Sequence, residues 1–204
     1  MTEKYHKHSF GIISLVLALF IAGMIVIFTA CHNTTTPLPH GYFRIAPYPS
    51  TYKSYTLGDI NLQINDSARC TTPATHTRDG VHWLNIQYPR YNATIYLSYI
   101  PLTGNLDQLM NESIELVYRQ NINTEQVEAF AYEDITKKLY ATLYTLSPES
   151  ATPVQFIVTD SSEYLLRGAL YFDTPVKSDS IAPSLQYIED DIIQLIESIR
   201  HNPL

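Results

Sequence analysis

The sequence predicts an α+β protein, a mostly antiparallel twisted sheet of about six to seven strands with two amphipathic helices packed on it. Three observations lead there. Strand-like and helix-like segments follow one another as strands, helix, strands, helix. The stretch ATIYLSYI, Ala93 to Ile100, alternates strictly: Ala93, Ile95, Leu97 and Tyr99 on one side, Thr94, Tyr96 and Ser98 on the other, the period of a half-buried strand. Two other segments place apolar residues at helical spacing instead. The composition agrees, since charged residues are only 16% of the chain while tyrosine numbers 16, a bias that suits a pleated surface.

The first ten residues are polar. Residues 11–30, GIISLVLALFIAGMIVIFTA, carry no charge, and a run of about 20 apolar residues is long enough to cross a bilayer core. It reads either as an uncleaved anchor oriented by Lys4 and Lys7 or as a signal peptide removed on export. Cys31 follows the small residues Thr29 and Ala30, an arrangement that resembles the lipobox of bacterial lipoproteins. There the thiol accepts a diacylglyceryl group, and small neighbours admit the backbone to the peptidase. Phe28 departs from the aliphatic residue usual three places before the cysteine, and a plain buried thiol is the third reading. The lipobox reading divides the chain into a signal peptide (1–30), a lipidated cysteine with an extended tether (31–40), and a single α+β domain (41–204). The covalent diacylglyceryl and N-acyl groups (palmitate among them) would be on Cys31, with no other cofactor.

Charge supports an anchor of this kind. Residues 1–30 contribute Lys4 and Lys7 against Glu3, so the rest of the chain carries -8 of the overall -7. An acidic body is a poor partner for nucleic acid and is repelled by anionic headgroups. Two or three acyl chains would hold it at a membrane where one would bind only reversibly. Cys70 then has no partner in the chain, which excludes a disulfide framework and leaves it as a small buried or half-buried thiol.

Within the domain, GYFRI, YKSYTL and NLQIN read as short strands. Residues 67–80, SARCTTPATHTRDG, read as a surface loop. HWLNIQY, PRYN and ATIYLSYI form a β-hairpin with a four-residue connection. The first helix starts after Asn105, with Gln108 placed for a capping box; Leu106, Leu109, Met110, Ile114, Leu116 and Val117 form its apolar face. VEAFAY, KKLYATLYTL, VQFIVTD and EYLLRGALYF return to strand, with turns at DITK and SPESATP. The last helix begins near Ser180, with Pro183 in its first turn and Ile181, Leu185, Ile188, Ile192, Leu195, Ile196 and Ile199 at helical spacing. Asp190 and Asp191, adjacent on it, are expected on its solvated side.

The sequence holds no H-E-x-x-H or cysteine pair for zinc, no nucleophile elbow and no glycine-rich phosphate loop before a helix. An enzyme would have to converge Asp160, Glu163, Tyr164 and His82 in a cleft. The stretch TDSSEYLLRGALYF raises a different question. Arg167 interrupts an apolar strand, with Asp160 at the preceding turn, and a charge in a strand core is costly unless paired. It is either an internal ion pair or outward-facing arginine, or a bidentate grip on a carboxylate; Arg44 in GYFRI poses the same choice. Together with Tyr96 and Tyr164, these are the candidate contact residues. Asn92-Ala93-Thr94 matches a glycosylation sequon that a bacterial lipoprotein would normally leave unmodified.

PLPHGYFRI, WLNIQYPRYNATIYLSY, TDSSEYLLRGALYF and DSIAPSLQYIEDDIIQLIESI together resemble the GldD family of gliding motility lipoproteins, across about residues 37–199. The resemblance implies a non-enzymatic envelope component of gliding motility and type IX secretion, with other envelope proteins as partners. Only Cys31 carries over as a functional residue. The strand order is also similar to that of Mog1/PsbP-like domains, which implies a topology and no function. HNTTTP after Cys31 lacks an acidic cluster, so the expected location is the periplasmic face of the outer membrane, with the inner membrane as the alternative. The second functional reading is a lipid-anchored periplasmic module that binds a glycan or lipid.

Overall fold

The computed structural model describes residues 46–73, 80–119, 127–147, 150–173 and 178–202. Cys31, Arg44, the tether, GYFRI and the apolar run at 11–30 lie outside them. In chain order the elements are β1 (Tyr52–Leu57), β2 (Ile60–Asn65), β3 (Arg69–Thr71), β4 (His82–Tyr88), β5 (Ala93–Pro101), α1 (Leu106–Arg119), β6 (Glu128–Asp134), β7 (Leu139–Thr145), β8 (Val154–Thr159), β9 (Tyr164–Phe172), α2 (Ser178–Ser198) and β10 (Arg200–His201). The class is the expected α+β. The strands divide into a seven-stranded sheet ordered β3-β4-β5-β9-β8-β7-β6 and a three-stranded sheet ordered β1-β2-β10, and every pairing is antiparallel.

The large sheet forms the middle layer. Ile86, Ile95, Leu97, Leu139, Phe156, Val158 and Leu166 point to one face and pack with Leu62 and Ile64 of β2 and with Ile188, Ile192 and Ile196 of α2. The small sheet and α2 together cover that face. On the other face α1 lays Leu106, Leu109, Met110, Ile114 and Val117 over Ile157, Leu165 and Tyr144. This second core is smaller, and α1 covers only part of its face.

Two glycines are fixed by this packing. Gly58 turns β1 into β2 with φ +57°, and a Cβ there would lie 2.5 Å from the Tyr99 ring. Gly168 in β9 stands opposite Phe156 of β8, whose ring occupies the space a Cβ would need.

Four local expectations are corrected. The 67–80 stretch contains β3, which pairs with β4 through Cys70 opposite Ile86. Asn105 precedes α1, but its side chain accepts from the backbone N–H of Thr103 (3.0 Å) while Gln108 donates to Glu112 (2.8 Å), so no capping box forms. α2 opens at Ser178, which puts Pro183 two residues further in than expected, in the second turn rather than the first. Asp191 is half-buried rather than solvated, and accepts from the hydroxyl of Tyr52 (2.8 Å) and the amide of Asn65 (3.3 Å). Asp190 beside it is exposed as expected. The PRYN connection is a 3-10 turn over Pro89–Tyr91 closed by Asn92 with φ 48°. Cys70 is a free, half-buried thiol, and burial pushes its pKa up despite the nearby Lys53 charge.

Candidate functional site

Along β9 the side chains of Leu165, Arg167, Ala169 and Tyr171 share the α1 face, while Leu166, Gly168 and Leu170 face the main core. Arg167 stands opposite Ser98 of β5 and Ile157 of β8. Two places on, Ala169 stands between Tyr96 of β5 and Gln155 of β8. An alanine flanked by two longer side chains leaves a depression, and α1 roofs it only at Leu116. The result is a pocket of about 540 Å³ lined by Tyr96, Ser98, Gln155, Arg167, Ala169 and Tyr171, with Asp173 at its rim. Tyr96 is 45% exposed and meets Tyr171 edge-to-face at 5.3 Å. Gln155 is buried and donates to Thr152 Oγ1 (2.9 Å).

Arg167 is half-buried and makes no hydrogen bond or ion pair with any described residue. Burial lowers its pKa, and the Tyr171 and Glu112 groups partly offset that. Arginine keeps its charge regardless, so the guanidinium is a partly desolvated cation lining a cavity.

Asp160 is not its partner. Oδ1 accepts from the backbone N–H groups of Glu163 (2.8 Å), Ser162 (3.0 Å) and Tyr164 (3.1 Å), and Oδ2 from the Ser162 hydroxyl (3.1 Å). Burial would raise its pKa, but these bonds outweigh burial and hold it below the usual carboxylate range. They organise the turn in which Ser161 takes φ 70°. Tyr164 points into the main core, stacked on Tyr99 at 5.7 Å, where burial drives its pKa far up. The fold thus brings Tyr96 and Arg167 together and separates them from Asp160 and Tyr164. Glu163 meets His201 of β10 at 2.6 Å, and His82 packs beside Tyr99 at 5.8 Å, so the groups named for catalysis are each engaged in structural contacts. Among the described residues no group of histidine, cysteine and carboxylate side chains is placed to hold a metal.

A second surface was not singled out by sequence reasoning. β6 is the last strand of the large sheet among the described residues. Its Phe130 is 55% exposed, and Ile135 just beyond it is 75% exposed. Between β6 and α2 runs an apolar groove of about 370 Å³, lined by Phe130, Tyr132, Leu143, Ile193 and Ile196, with Glu189 and Glu197 on it. Glu189 is half-buried, and its pKa is raised by burial although the Thr145 hydroxyl donates to it (3.3 Å). The local pattern of VEAFAY marks a strand but cannot say that the strand ends a sheet.

The family model described as gliding motility lipoprotein GldD matches residues 32–201. No curated protein matches the chain significantly.

Proposed function

We propose, on the premise that the chain belongs to the GldD family of gliding motility lipoproteins, that it acts as a non-enzymatic assembly component of the gliding motility and type IX secretion machinery. It is held by acyl chains on Cys31 at the periplasmic face of the outer membrane. The observation that carries the assembly role is the β6 margin. A sheet edge with exposed apolar side chains is a template for strand addition, and here an apolar groove runs alongside it.

The occupant assigned to it is an extended segment of a partner protein, with apolar residues between basic ones. The charged residues on the groove are Glu189 and Glu197, and β6 itself adds Glu128 and Glu133. Lys137 at the far end is already bonded to Asp134 (3.0 Å) and to the Glu197 carbonyl (2.9 Å). A second copy fits poorly: two β6 strands paired antiparallel about Ala131 would set Glu128 against Asp134 twice, and like charges directly opposite are destabilising.

Photo-crosslinkers at Phe130 and Ile135 in living cells test this. The expected product joins β6 to a lysine- or arginine-bearing segment of an envelope protein whose own loss stops gliding. Only self-crosslinks, or none, would refute the assignment. Deleting the gene should stop spreading and adhesin export together; unchanged export would remove the secretion role. Mass spectrometry of native material should find acyl chains on Cys31 and no residue before it, and a bare thiol joined to residues 1–30 would refute the anchor.

A further inference from the structure

We propose that the pocket between β9 and α1 binds an acidic saccharide, with Arg167 holding its carboxylate and Tyr96 packing against the sugar ring. The first support is the missing counter-charge. A guanidinium taken partly out of water without a hydrogen-bonded anion is unfavourable unless something later supplies one. The carboxylate nearest in sequence, Asp160, is saturated by its own turn. The acidic groups nearest Arg167 from other elements are Glu112 on α1, which acts on it only through its field and is itself bonded by Gln108, and the exposed Asp173 at the pocket rim. Neither forms an ion pair with Arg167.

The second support is shape. About 540 Å³ lies within the range of small-ligand sites, roughly 300–1,000 Å³, and is enough for one or two sugar rings. The third is the mixture of side chains. A carboxylate alone would need only the arginine fork. Here the fork stands beside the Ser98 hydroxyl, which suits a ring hydroxyl. Further along the same two strands is the Tyr96–Tyr171 pair, held edge-to-face at 5.3 Å, and one ring of that pair remains 45% exposed. An amphipathic aromatic surface next to fixed polar groups fits a sugar, apolar on one face and hydroxylated at its edge. This site lies on the opposite face of the sheet from the α2 groove and does not depend on the β6 contact.

The test is calorimetric titration of the full-length protein with trigalacturonic acid. Its methyl ester is the uncharged control, and a triglutamate peptide the peptide control of equal charge. The expected result is binding of trigalacturonate, with no heat from the ester and at least tenfold weaker binding of the peptide. Arg167→Gln and Tyr96→Ala should each weaken trigalacturonate binding at least tenfold. Tyr96 is exposed, so its variant reads the site even if Arg167→Gln fails to fold. The proposal is overturned if the wild type does not bind trigalacturonate, if Tyr96→Ala binds it unchanged, if the ester binds as well as the acid, or if the peptide binds equally. The β6 crosslinks are unaffected by any of these outcomes, so the two readings fail separately.

Discussion

Gly168→Ala places a methyl group where the structure has a phenyl ring. The added Cβ would sit 2.7 Å from one edge carbon of Phe156 and closer still to two others, against about 3.5–4.0 Å for relaxed carbon contact. Phe156 is 0% exposed in the centre of the main core, so the ring cannot swing into solvent, and either it or β9 must move by about an ångström. Overpacking of this kind costs about 1–3 kcal/mol. The lower backbone entropy of alanine in the unfolded chain returns about 0.4–1 kcal/mol. A net loss of about 1–2 kcal/mol follows, which for a domain of this size lowers Tm by roughly 2–8 °C. Phe156→Leu should be destabilising alone, yet combined with Gly168→Ala it should cost less than the two singles added, with a coupling of about 0.5–3 kcal/mol. Urea unfolding of the full-length protein and its three variants gives the cycle. A neutral Gly168→Ala, or strictly additive changes, would show that the ring does not pin this glycine.

Asp160→Ala should destabilise by more than an exposed substitution, because three backbone N–H groups lose their acceptor. Because the folded pKa of Asp160 is depressed, its contribution is present above the ordinary carboxylate pKa and lost as pH falls through the folded value; Asp160→Asn should flatten that acid-side loss in urea titrations at several pH values. Asp191 has the opposite sign. Burial raises its folded pKa despite the bonds from Tyr52 and Asn65, so its protonated form stabilises below the ordinary value, and that gain is lost as pH rises through the folded value. Asp191→Asn should keep an acceptor for Tyr52 and remove that loss, whereas Asp191→Ala, leaving Tyr52 and Asn65 without it, should cost about 1–3 kcal/mol at neutral pH. Phe130→Lys and Ile135→Lys, at exposed positions, should shift stability by no more than about 0.5 kcal/mol yet stop colony spreading; spreading at the wild-type rate would count against the β6 contact.

Much of the fold was legible because its strands alternate cleanly. β5 and β9 could be placed to within a residue: β5 because burial of one face enforces period two along it, β9 because a long apolar run bounded by a turn marks a strand covered on both faces at its start. The parity of LLRGALY even puts Arg167 on the same side as Leu165 and Ala169. β3 was not legible: three residues, only one of them half-buried, carry no periodicity, and pairing with β4 alone defines them. The capping box failed for a similar reason. Asn105 instead accepts from both the amide and the hydroxyl of Thr103, a local partnership that spacing does not encode. Asp191 was misplaced because a helix face was judged by its polarity, while its partners, half-buried Tyr52 and buried Asn65, come from strands more than a hundred residues earlier.

What a single strand's pattern cannot reveal is where the sheet stops and how far a helix reaches, and both candidate surfaces depend on these. Arg167 is uncompensated because α1 covers Leu165 and Ile157 but leaves Ala169 under Leu116 alone. Phe130 is exposed because nothing among the described residues pairs beyond β6. The two sites open on opposite faces of one sheet, joined through β7 and β8. An occupant of the groove therefore does not block the pocket, which an assembly component holding a partner beside an envelope polymer requires. If that is so, crosslinking at Phe130 should proceed at the same rate with the pocket filled by trigalacturonate as with it empty, whereas mutual exclusion would mean that the two surfaces belong to a single interface.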